Sequence, residues 1–335
     1  MMRIRVPDYY EKFHCLAREC PHTCCEKWEV VIDAETAHRY LETSGSLGER
    51  LREALRRDEN GVFCFSLDGG RCPFLDESGL CEIHCQLGEA ATSITCREHP
   101  RFIEEYGPFR EITLSASCPA VNSLLLETEK PLTFLEWDTA EPEEPGDDWL
   151  PFLLPLRNRM LAVLQDRTKP LRVRLRSFLT LAENAQVLLD ADIPEELPRM
   201  AVEWCFGTKA EGAAVLSGGL DFLGTLEELD PDWKDLLKQA ETAEAVPVSE
   251  NLLDRIAVYV AFRYLLKTVN DGDLVSRAEL CVFAVLVIER LAAVCGLAEA
   301  LRRFSCEIEH SNENLHALQA AFRRGKLEKH EQLFQ

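Results

Sequence analysis

The distribution of cysteines constrains this chain more than any other feature of its sequence. Ten of the fourteen cysteines lie at or before Cys118, and the other four are scattered among apolar residues. The first residues, Met1 to Asp8, contain no apolar stretch of the kind that a signal peptide carries after its basic residues. We therefore expect a cytoplasmic protein in a reducing compartment, where clustered thiols are metal ligands rather than disulfides.

The strongest motif is Cys15-x4-Cys20-x3-Cys24-Cys25, which places four thiols within eleven residues. Thiolates on so short a segment can converge on one ion or cluster, and soft sulfur ligands favour zinc or iron–sulfur centres. Neighbouring side chains diverge by about 100° on a helix and point to opposite faces of a strand. Cys24 and Cys25 can therefore reach one centre only through irregular backbone; otherwise one of the two thiols serves elsewhere.

A second set of candidate ligands comprises Cys72, Cys81, Cys96 and Cys118, with Cys64 and Cys85 as additional thiols. Proline follows Cys72 and Cys118, which is typical of ligands carried by turns. Histidine can replace a thiolate in zinc and in iron–sulfur sites, and four histidines lie close to cysteines in the sequence: His14, His22, His84 and His99. The residues alone leave open whether the centre is iron–sulfur or zinc, and whether the thiols form one site or two.

The periodicity of apolar residues predicts a mostly α fold in two domains. Residues 1–128 are expected to form an irregular, cysteine-rich metal-binding domain with a few short strands, including one over 110–117. Residues 129–148 carry eight acidic residues against one lysine, a composition typical of a poorly ordered linker. Residues 149–335 are expected to form an all-helical domain, with helices over 150–164, 171–189, 252–266 and 274–295.

Shorter signals predict local structure and the role of the remaining cysteines. Asp33 is expected to cap a helix over 34–41, and a second helix is expected over 47–57. A strand is expected over 62–67 and helical structure over 85–91. The cysteines outside the N-terminal region are expected to be core thiols on apolar helix faces: Cys205, Cys281, Cys295 and Cys306.

Net charge excludes some classes of partner. The formal charge of −21 repels nucleic-acid phosphates, and no concentrated basic patch offsets it. No stretch approaches the roughly 18 uninterrupted apolar residues that a membrane helix needs. We therefore expect neither a nucleic-acid nor a membrane partner, whereas an acidic chain suits a lysine-rich protein substrate.

Several short motifs give the N-terminal region a family resemblance: Phe13-His14-Cys15, Cys20, Cys24-Cys25, Trp28, Cys72-Pro73-Phe74-Leu75, Leu80-Cys81, Thr95-Cys96-Arg97, Pro100-Arg101 and Leu114-Ser115-Ala116-Ser117-Cys118-Pro119. In this order they resemble the flagellin lysine N-methylase family over about residues 8–125. The resemblance implies methyl transfer from S-adenosylmethionine to lysine side chains of flagellin. It also implies a four-iron four-sulfur (4Fe-4S) cluster held by cysteines.

Two interpretations follow from this sequence. The first is a protein-lysine N-methyltransferase that uses S-adenosylmethionine and an iron–sulfur cluster and acts on flagellin or a similar lysine-rich protein. The second is a non-catalytic zinc or iron–sulfur binding module for redox sensing or assembly, to which a related group of small chelating proteins also points. The chain has neither the C-x3-C-x2-C spacing of radical enzymes nor a G-x-G-x-x-G turn. The sequence therefore identifies no catalytic and no S-adenosylmethionine-binding residue.

Overall fold

A computed structural model describes residues 1–26, 30–58, 60–67, 70–205 and 212–324. The fold is mostly helical, as predicted. The chain forms two compact units. We call residues 13–102 and 118–121 the thiol unit, and residues 1–12, 103–117 and 122–335 the sheet–helix unit.

The strands and helices are as follows in chain order. The strands are β1 (Arg3–Pro7), β2 (Leu55–Arg57), β3 (Phe63–Phe65), β4 (Arg101–Glu105), β5 (Phe109–Leu114) and β6 (Phe134–Asp138). The α-helices are α1 (Ala34–Glu42), α2 (Gly45–Ala54), α3 (Glu82–Leu87), α4 (Ile94–Glu98), α5 (Pro119–Leu126), α6 (Leu150–Gln165), α7 (Leu171–Asp190), α8 (Gly212–Gly224), α9 (Trp233–Thr242), α10 (Glu250–Tyr264), α11 (Val275–Cys295), α12 (Leu297–Phe304) and α13 (Asn312–Arg323).

The thiol unit is built from α1, α2 and a two-stranded sheet around a small aromatic core. Asp33 begins α1 as predicted, because its side chain accepts a hydrogen bond from the Thr36 N–H at 2.9 Å. Tyr40 stacks on Phe65 at a centroid distance of 5.7 Å, and Phe65 contacts Phe74 at 4.9 Å. Buried aromatic pairs of this kind add specific geometry to the apolar area that they remove from water.

A four-stranded sheet in the order β4-β5-β1-β6 belongs to the sheet–helix unit together with the C-terminal helices. β1 pairs in parallel with β5, with Arg3 opposite Phe109, and antiparallel with β6, with Ile4 opposite Trp137. Helix α11 is buried on every side from residue 276 to 288, which is typical of a central core helix. It packs against α7, α10 and α12. Within the described part of the chain, no helix is both long and apolar enough to span a membrane.

The predicted domain boundaries differ from the compact units. Residues 129–148, which were predicted to be a poorly ordered linker, contain β6, which pairs with β1, and the chain after β6 forms hydrogen bonds with Met2. The Met2 N–H donates to the Glu141 carbonyl at 2.9 Å, and the Thr139 N–H donates to the Met2 carbonyl at 2.8 Å. The helices predicted from residue 149 onward therefore share one unit with strands drawn from residues 1–12 and 103–117.

Candidate metal centre

The structure brings all eight predicted metal ligands into the thiol unit. Four lie on the irregular segment that precedes α1: Cys15, Cys20, Cys24 and Cys25. The other four occur at a turn after β3, immediately before α3, within α4 and immediately before α5: Cys72, Cys81, Cys96 and Cys118. All eight are free thiols. Residues separated by up to about a hundred positions are thus gathered by the fold of one small unit.

Four of these thiols, which we call the inner group, are Cys25, Cys72, Cys81 and Cys96. The Cys72 N–H donates to the Cys25 carbonyl at 2.8 Å, and an isolated bridge pairs Leu75 with Cys81. Cys72 is a member of the apolar core of the thiol unit, against which Cys25 and Cys81 also pack. Each of the six possible pairs within the inner group is close enough for its charges to interact.

Side-chain caps at the N-terminus of the short helix α4 position Cys96. The Ser93 side chain accepts a hydrogen bond from the Cys96 N–H at 3.2 Å. The second carboxylate oxygen of Asp33, the residue that caps α1, accepts one from the Ile94 N–H at 3.0 Å. One carboxylate therefore connects α1 with the helix that carries Cys96.

The other four thiols, which we call the outer group, are Cys15, Cys20, Cys24 and Cys118. Cys15 interacts electrostatically with each of the other three, and Cys20 interacts with Cys118. Cys15 and Cys24 are exposed, whereas Cys20 and Cys118 are half-buried. The sequence left open whether Cys24 and Cys25 reach one centre. In the structure Cys25 packs against the apolar core that contains Cys72. Interactions also cross between the two groups, since Cys20 interacts with Cys25 and Cys24 with Cys96.

The donor set fits a thiolate-bound cation in its chemistry. Backbone N–H groups donate hydrogen bonds to sulfur in both groups: Ala17 to Cys15 at 3.4 Å, Phe74 to Cys72, Ile83 and His84 to Cys81, and Ala120 and Val121 to Cys118. Such donors stabilise the charged thiolate, and hydrogen bonds to the sulfurs are one of the features that set the potential of iron–sulfur clusters. The predicted turn-borne character of Cys72 and Cys118 agrees with these contacts.

Burial controls the protonation of the inner thiols. Burial in the apolar core raises the pKa of Cys72 to about 12, and desolvation of the Cys96 thiol, which lies outside that core, raises its pKa to about 11. Cys24 and Cys25 are hydrogen-bonded to each other, which raises the pKa of Cys24 and lowers the pKa of Cys25 to about 7. The thiols whose pKa is raised are therefore protonated near neutral pH, so binding of a soft cation to them would release protons and would strengthen with rising pH.

The remaining candidates lie outside the two groups. Cys64 is buried on β3, and Cys85 is exposed on α3. Three of the four histidines are exposed: His14, His22 and His84. Among the residues that the structure describes, no set of three or more His, Cys, Asp or Glu side chains is arranged to hold a single metal ion. Trp28, which contributed to the family resemblance, lies outside the described residues.

A second polar cluster, in the sheet–helix unit, was not predicted from the sequence. Glu309 accepts a hydrogen bond from the Tyr259 hydroxyl at 2.7 Å and pairs with the Arg263 guanidinium at 3.0 Å. It lies on a π-helical turn over Ser305–Glu309, a rare geometry that often marks functional sites. The network lies beside a narrow, mainly apolar cavity lined by residues that include Tyr259, Tyr264 and Glu309.

His310 extends this network toward the end of β5. Its Nε2 atom lies 2.9 Å from the Ser115 hydroxyl oxygen and 2.8 Å from that of Ser117. Burial and the nearby positive charge of Arg263 lower the pKa of His310 to about 4. The imidazole is therefore neutral near pH 7. No local sequence pattern joins His310 to serines almost two hundred positions away, so only the fold reveals the cluster.

Comparison with known proteins confirms the resemblance over part of the chain. A lysine-N-methylase of Salmonella typhimurium strain LT2 is 29% identical over 126 residues, which are 36% of this chain and 31% of that protein. The flagellar biosynthetic protein FliU of Salmonella muenchen is 29% identical over 126 residues, which are 36% of this chain and 75% of that protein. A lysine-N-methylase of Salmonella choleraesuis strain SC-B67 is also 29% identical over 126 residues, which are 36% of this chain and 31% of that protein.

The similarity is limited in extent. The matched segment spans about a third of the length of the two lysine-N-methylases. No model of a known protein family matches the chain, and no solved structure is similar to it.

Proposed function

We propose that this chain is a protein-lysine N-methyltransferase that takes the methyl group from S-adenosylmethionine and contains a thiolate-bound iron–sulfur centre. Its substrate is flagellin or a similar lysine-rich protein. The observation that carries the proposal is the convergence of eight free thiols in one unit of a chain that resembles lysine-N-methylases over 126 residues. Clustered thiols with N–H donors to sulfur support the metal centre, and the names of the relatives support the reaction.

The inner and outer thiols are the residues that would hold the centre. When bound, an iron–sulfur cluster supplies redox chemistry and a cross-link that contributes to folding. The protein's own contribution is to gather the sulfurs, to donate hydrogen bonds to them and to shield Cys72 from solvent. These roles require an intact thiol unit, so loss of the metal should loosen that unit.

The proposed reaction forms a nitrogen–carbon bond on the substrate lysine. The lysine nitrogen attacks the methyl carbon, the carbon–sulfur bond of the donor breaks with its electron pair on sulfur, and S-adenosylhomocysteine leaves. The attacking amine must be neutral, because an ammonium group has no lone pair. One proton per methyl group therefore passes from lysine to solvent or to a base.

Charge supports a lysine-rich substrate. The chain carries 58 acidic residues against 37 lysines and arginines. An acidic protein surface raises the local concentration of a basic partner and its rate of encounter. Because charges separated by more than about 10 Å are screened at 0.1 M salt, we expect the reaction to weaken as salt increases.

The test is methylation of purified flagellin. Protein prepared without oxygen and loaded with iron and sulfide is incubated with S-adenosylmethionine and with flagellin from the organism that encodes the chain. Intact-mass measurement should show successive methyl additions to flagellin. Cys72→Ser should abolish them, whereas Cys85→Ser, which changes an exposed thiol of the same unit, should leave them unchanged.

The opposite results identify the alternative function. If iron-loaded protein neither shifts the mass of flagellin nor binds labelled S-adenosylmethionine, the methyltransferase proposal is wrong. A chain that binds metal but not S-adenosylmethionine is then better described as a metal-binding module. If the labelled donor binds and flagellin is unchanged, the substrate assignment alone fails.

A further inference from the structure

Strand β6 forms one edge of the four-stranded sheet. In the described part of the chain its one strand partner is β1, with which it pairs antiparallel. The core holds β6 from one face of the sheet, because the Phe134 ring stacks on that of Phe262 in α10 at a centroid distance of 4.2 Å. The four residues 135–138 that follow this anchor are all exposed. An open edge strand of this kind presents backbone groups with which another strand can pair.

The register of β6 against β1 decides which backbone groups face outward. Immediately after β6, the Thr139 N–H donates to the Met2 carbonyl at 2.8 Å. In an antiparallel pair, residues that bond to the partner strand alternate with residues that do not. Every second residue before Thr139 therefore faces β1, and the backbone groups of three intervening residues face away from it: Phe134, Glu136 and Asp138. These three N–H and three C=O groups form no backbone hydrogen bond with any other described segment.

The side chains along this edge combine apolar and acidic groups. Leu135 and Trp137 are 36% and 39% exposed, which leaves apolar surface beside the outward backbone groups. The side chains of Glu136 and Asp138 are 45% and 50% exposed. Proline, which blunts many edge strands, is absent from residues 134–138. When a peptide adds to a sheet edge, its main chain supplies affinity and alternate side chains supply specificity.

Charge selects the kind of strand that fits. Residues 134–148 contain seven acidic residues and no lysine or arginine. Three of the seven pair with arginines of the neighbouring strands β1 and β5: Arg3, Arg5 and Arg110. The other four lie on the exposed stretch 143–148, which crosses the end of the sheet where the Glu144 N–H donates to the Gly107 carbonyl at 3.3 Å. The excess of negative charge at this end of β6 favours a basic partner.

We propose that the outer edge of β6 binds an extended, lysine-rich segment of the substrate protein as an added strand of the sheet. Its backbone pairs with the outward groups of β6, its side chains pack on Leu135 and Trp137, and its lysines lie near the acidic residues. A second copy of this chain fits less well, because pairing two β6 edges brings Glu136 and Asp138 close to the same carboxylates of the copy. The proposal rests on the lysine-rich substrate of the proposed function, but binding of the strand requires neither iron nor S-adenosylmethionine.

Binding of a model strand tests the proposal on the full chain. A short labelled peptide that alternates lysine and threonine is titrated with the protein, and binding is followed by fluorescence anisotropy. A matched peptide carries methyl groups on its backbone nitrogens, which keeps every charge but removes the donors for strand pairing. It should bind at least about tenfold more weakly, as should a peptide with glutamate in place of lysine. Equal affinity of the methylated and unmethylated lysine peptides, or no binding of the latter, overturns the proposal.

Hydrogen–deuterium exchange and a pair of variants locate the peptide on β6. Exchange of the segment 134–138 should slow when the lysine peptide binds, whereas exchange of β4, at the opposite edge of the sheet, should not change. Glu136→Pro and Glu136→Gln both remove the carboxylate that pairs with Arg5, but only the proline removes an outward N–H. Glu136→Pro should therefore bind the peptide about tenfold more weakly than Glu136→Gln. Equal binding by the two variants, or slowing at β4 instead of β6, overturns the assignment.

The remaining outcomes separate this surface from the proposed reaction. If circular dichroism shows that Glu136→Pro does not fold, the methylated peptide decides the question on wild-type protein. A dimer that Glu136→Pro dissociates, measured by light scattering, makes a second copy the occupant and overturns the proposal. Peptide binding at β6 without methylation of flagellin supports the surface, and the proposed reaction alone fails. Methylation of flagellin with the same KM by Glu136→Pro and Glu136→Gln overturns the surface alone.

Discussion

The ion pair between Arg157 on α6 and Glu111 on β5 offers a sharp test of how the sheet and helices are held together. The two guanidinium nitrogens lie 3.0 and 2.6 Å from the two carboxylate oxygens. Their side chains are only 2% and 3% exposed. Arg5 lies 3.8 Å from the same carboxylate but also pairs with Glu136 at 3.1 Å. Arg157 is thus the main partner of a buried charge.

Removing one residue of the ion pair should lower the free energy of unfolding by more than the intact pair contributes to it. At an effective dielectric constant of about 20, unit charges about 4 Å apart attract by about 4 kcal/mol, and desolvation of both groups cancels much of this gain. Arg157→Met leaves the Glu111 carboxylate buried with only the more distant Arg5, and we expect it to lower the free energy of unfolding by about 3–5 kcal/mol. Arg157→Met combined with Glu111→Leu removes both charges, and we expect it to unfold within about 1 kcal/mol of wild type.

Urea denaturation followed by circular dichroism measures these effects. The midpoint should shift strongly for the single variant and return for the double variant, with an unchanged dependence on denaturant concentration. Glu111→Leu alone completes the cycle, and the coupling free energy should exceed about 2 kcal/mol. Additive losses in the double variant, or a loss below about 1 kcal/mol for Arg157→Met, would refute the reasoning.

Three further predictions concern His310, the Asp33 side chain that caps two helices, and the turn at Gly107. The pKa of His310 is about 4 in the folded protein, below its ordinary value of 6.5, so as pH falls the unfolded chain binds the proton first. The full contribution to stability is therefore present above pH 6.5, and the free energy of unfolding declines by up to about 3 kcal/mol as pH falls to 4. His310→Gln should flatten this part of the profile of stability against pH, and an unchanged profile contradicts the prediction. Asp33→Ala removes the side chain that accepts hydrogen bonds from the N-terminal turns of α1 and α4. We expect the free energy of unfolding to fall by about 1–2 kcal/mol, proteolysis of the thiol unit to accelerate and iron content to fall. Protease resistance and iron content equal to those of wild type argue against the shared cap. Gly107 has φ +79°, and an added Cβ would clash with the Pro145 carbonyl oxygen. Gly88 has a similar φ but open space around the added Cβ. The temperature of half-unfolding should therefore fall further for Gly107→Ala than for Gly88→Ala, and equal shifts exclude the clash as the cause.

Local patterns predicted the helices well, because their signals lie within a few turns of the chain. The helix expected over 171–189 is observed as α7, and the cap at Asp33 is confirmed in its hydrogen bond. The helix expected over 47–57 ends at Ala54, because Leu55–Arg57 instead pairs antiparallel with Phe63–Phe65. Such a change depends on a strand partner outside the helix, so helical periodicity cannot reveal it.

Sequence motifs identified the eight thiols that the fold gathers into one unit, but not how they are arranged within it. All eight thiols could be identified from short cysteine-bearing motifs in the sequence. Closeness in sequence suggested that Cys25 belongs with Cys15, Cys20 and Cys24. The structure associates it with Cys72 because the segments around them pair, through the bridge between Glu26 and Arg71 and the Cys72 N–H to Cys25 carbonyl hydrogen bond. Pairing over almost fifty positions leaves no signature in local spacing.

The order of the compact units along the chain differs from the predicted boundary near residue 128. The chain begins with β1, enters the thiol unit at residue 13, leaves it after 102 and contributes residues 118–121 to it again. Cutting the chain at 128 would therefore retain every predicted ligand but separate β1 from β6 and Glu111 from Arg157. The exposed edge of β1 and the buried carboxylate would each then lack a main partner. Both losses fall on β1 and β5, strands whose partners β6 and Arg157 lie beyond residue 128.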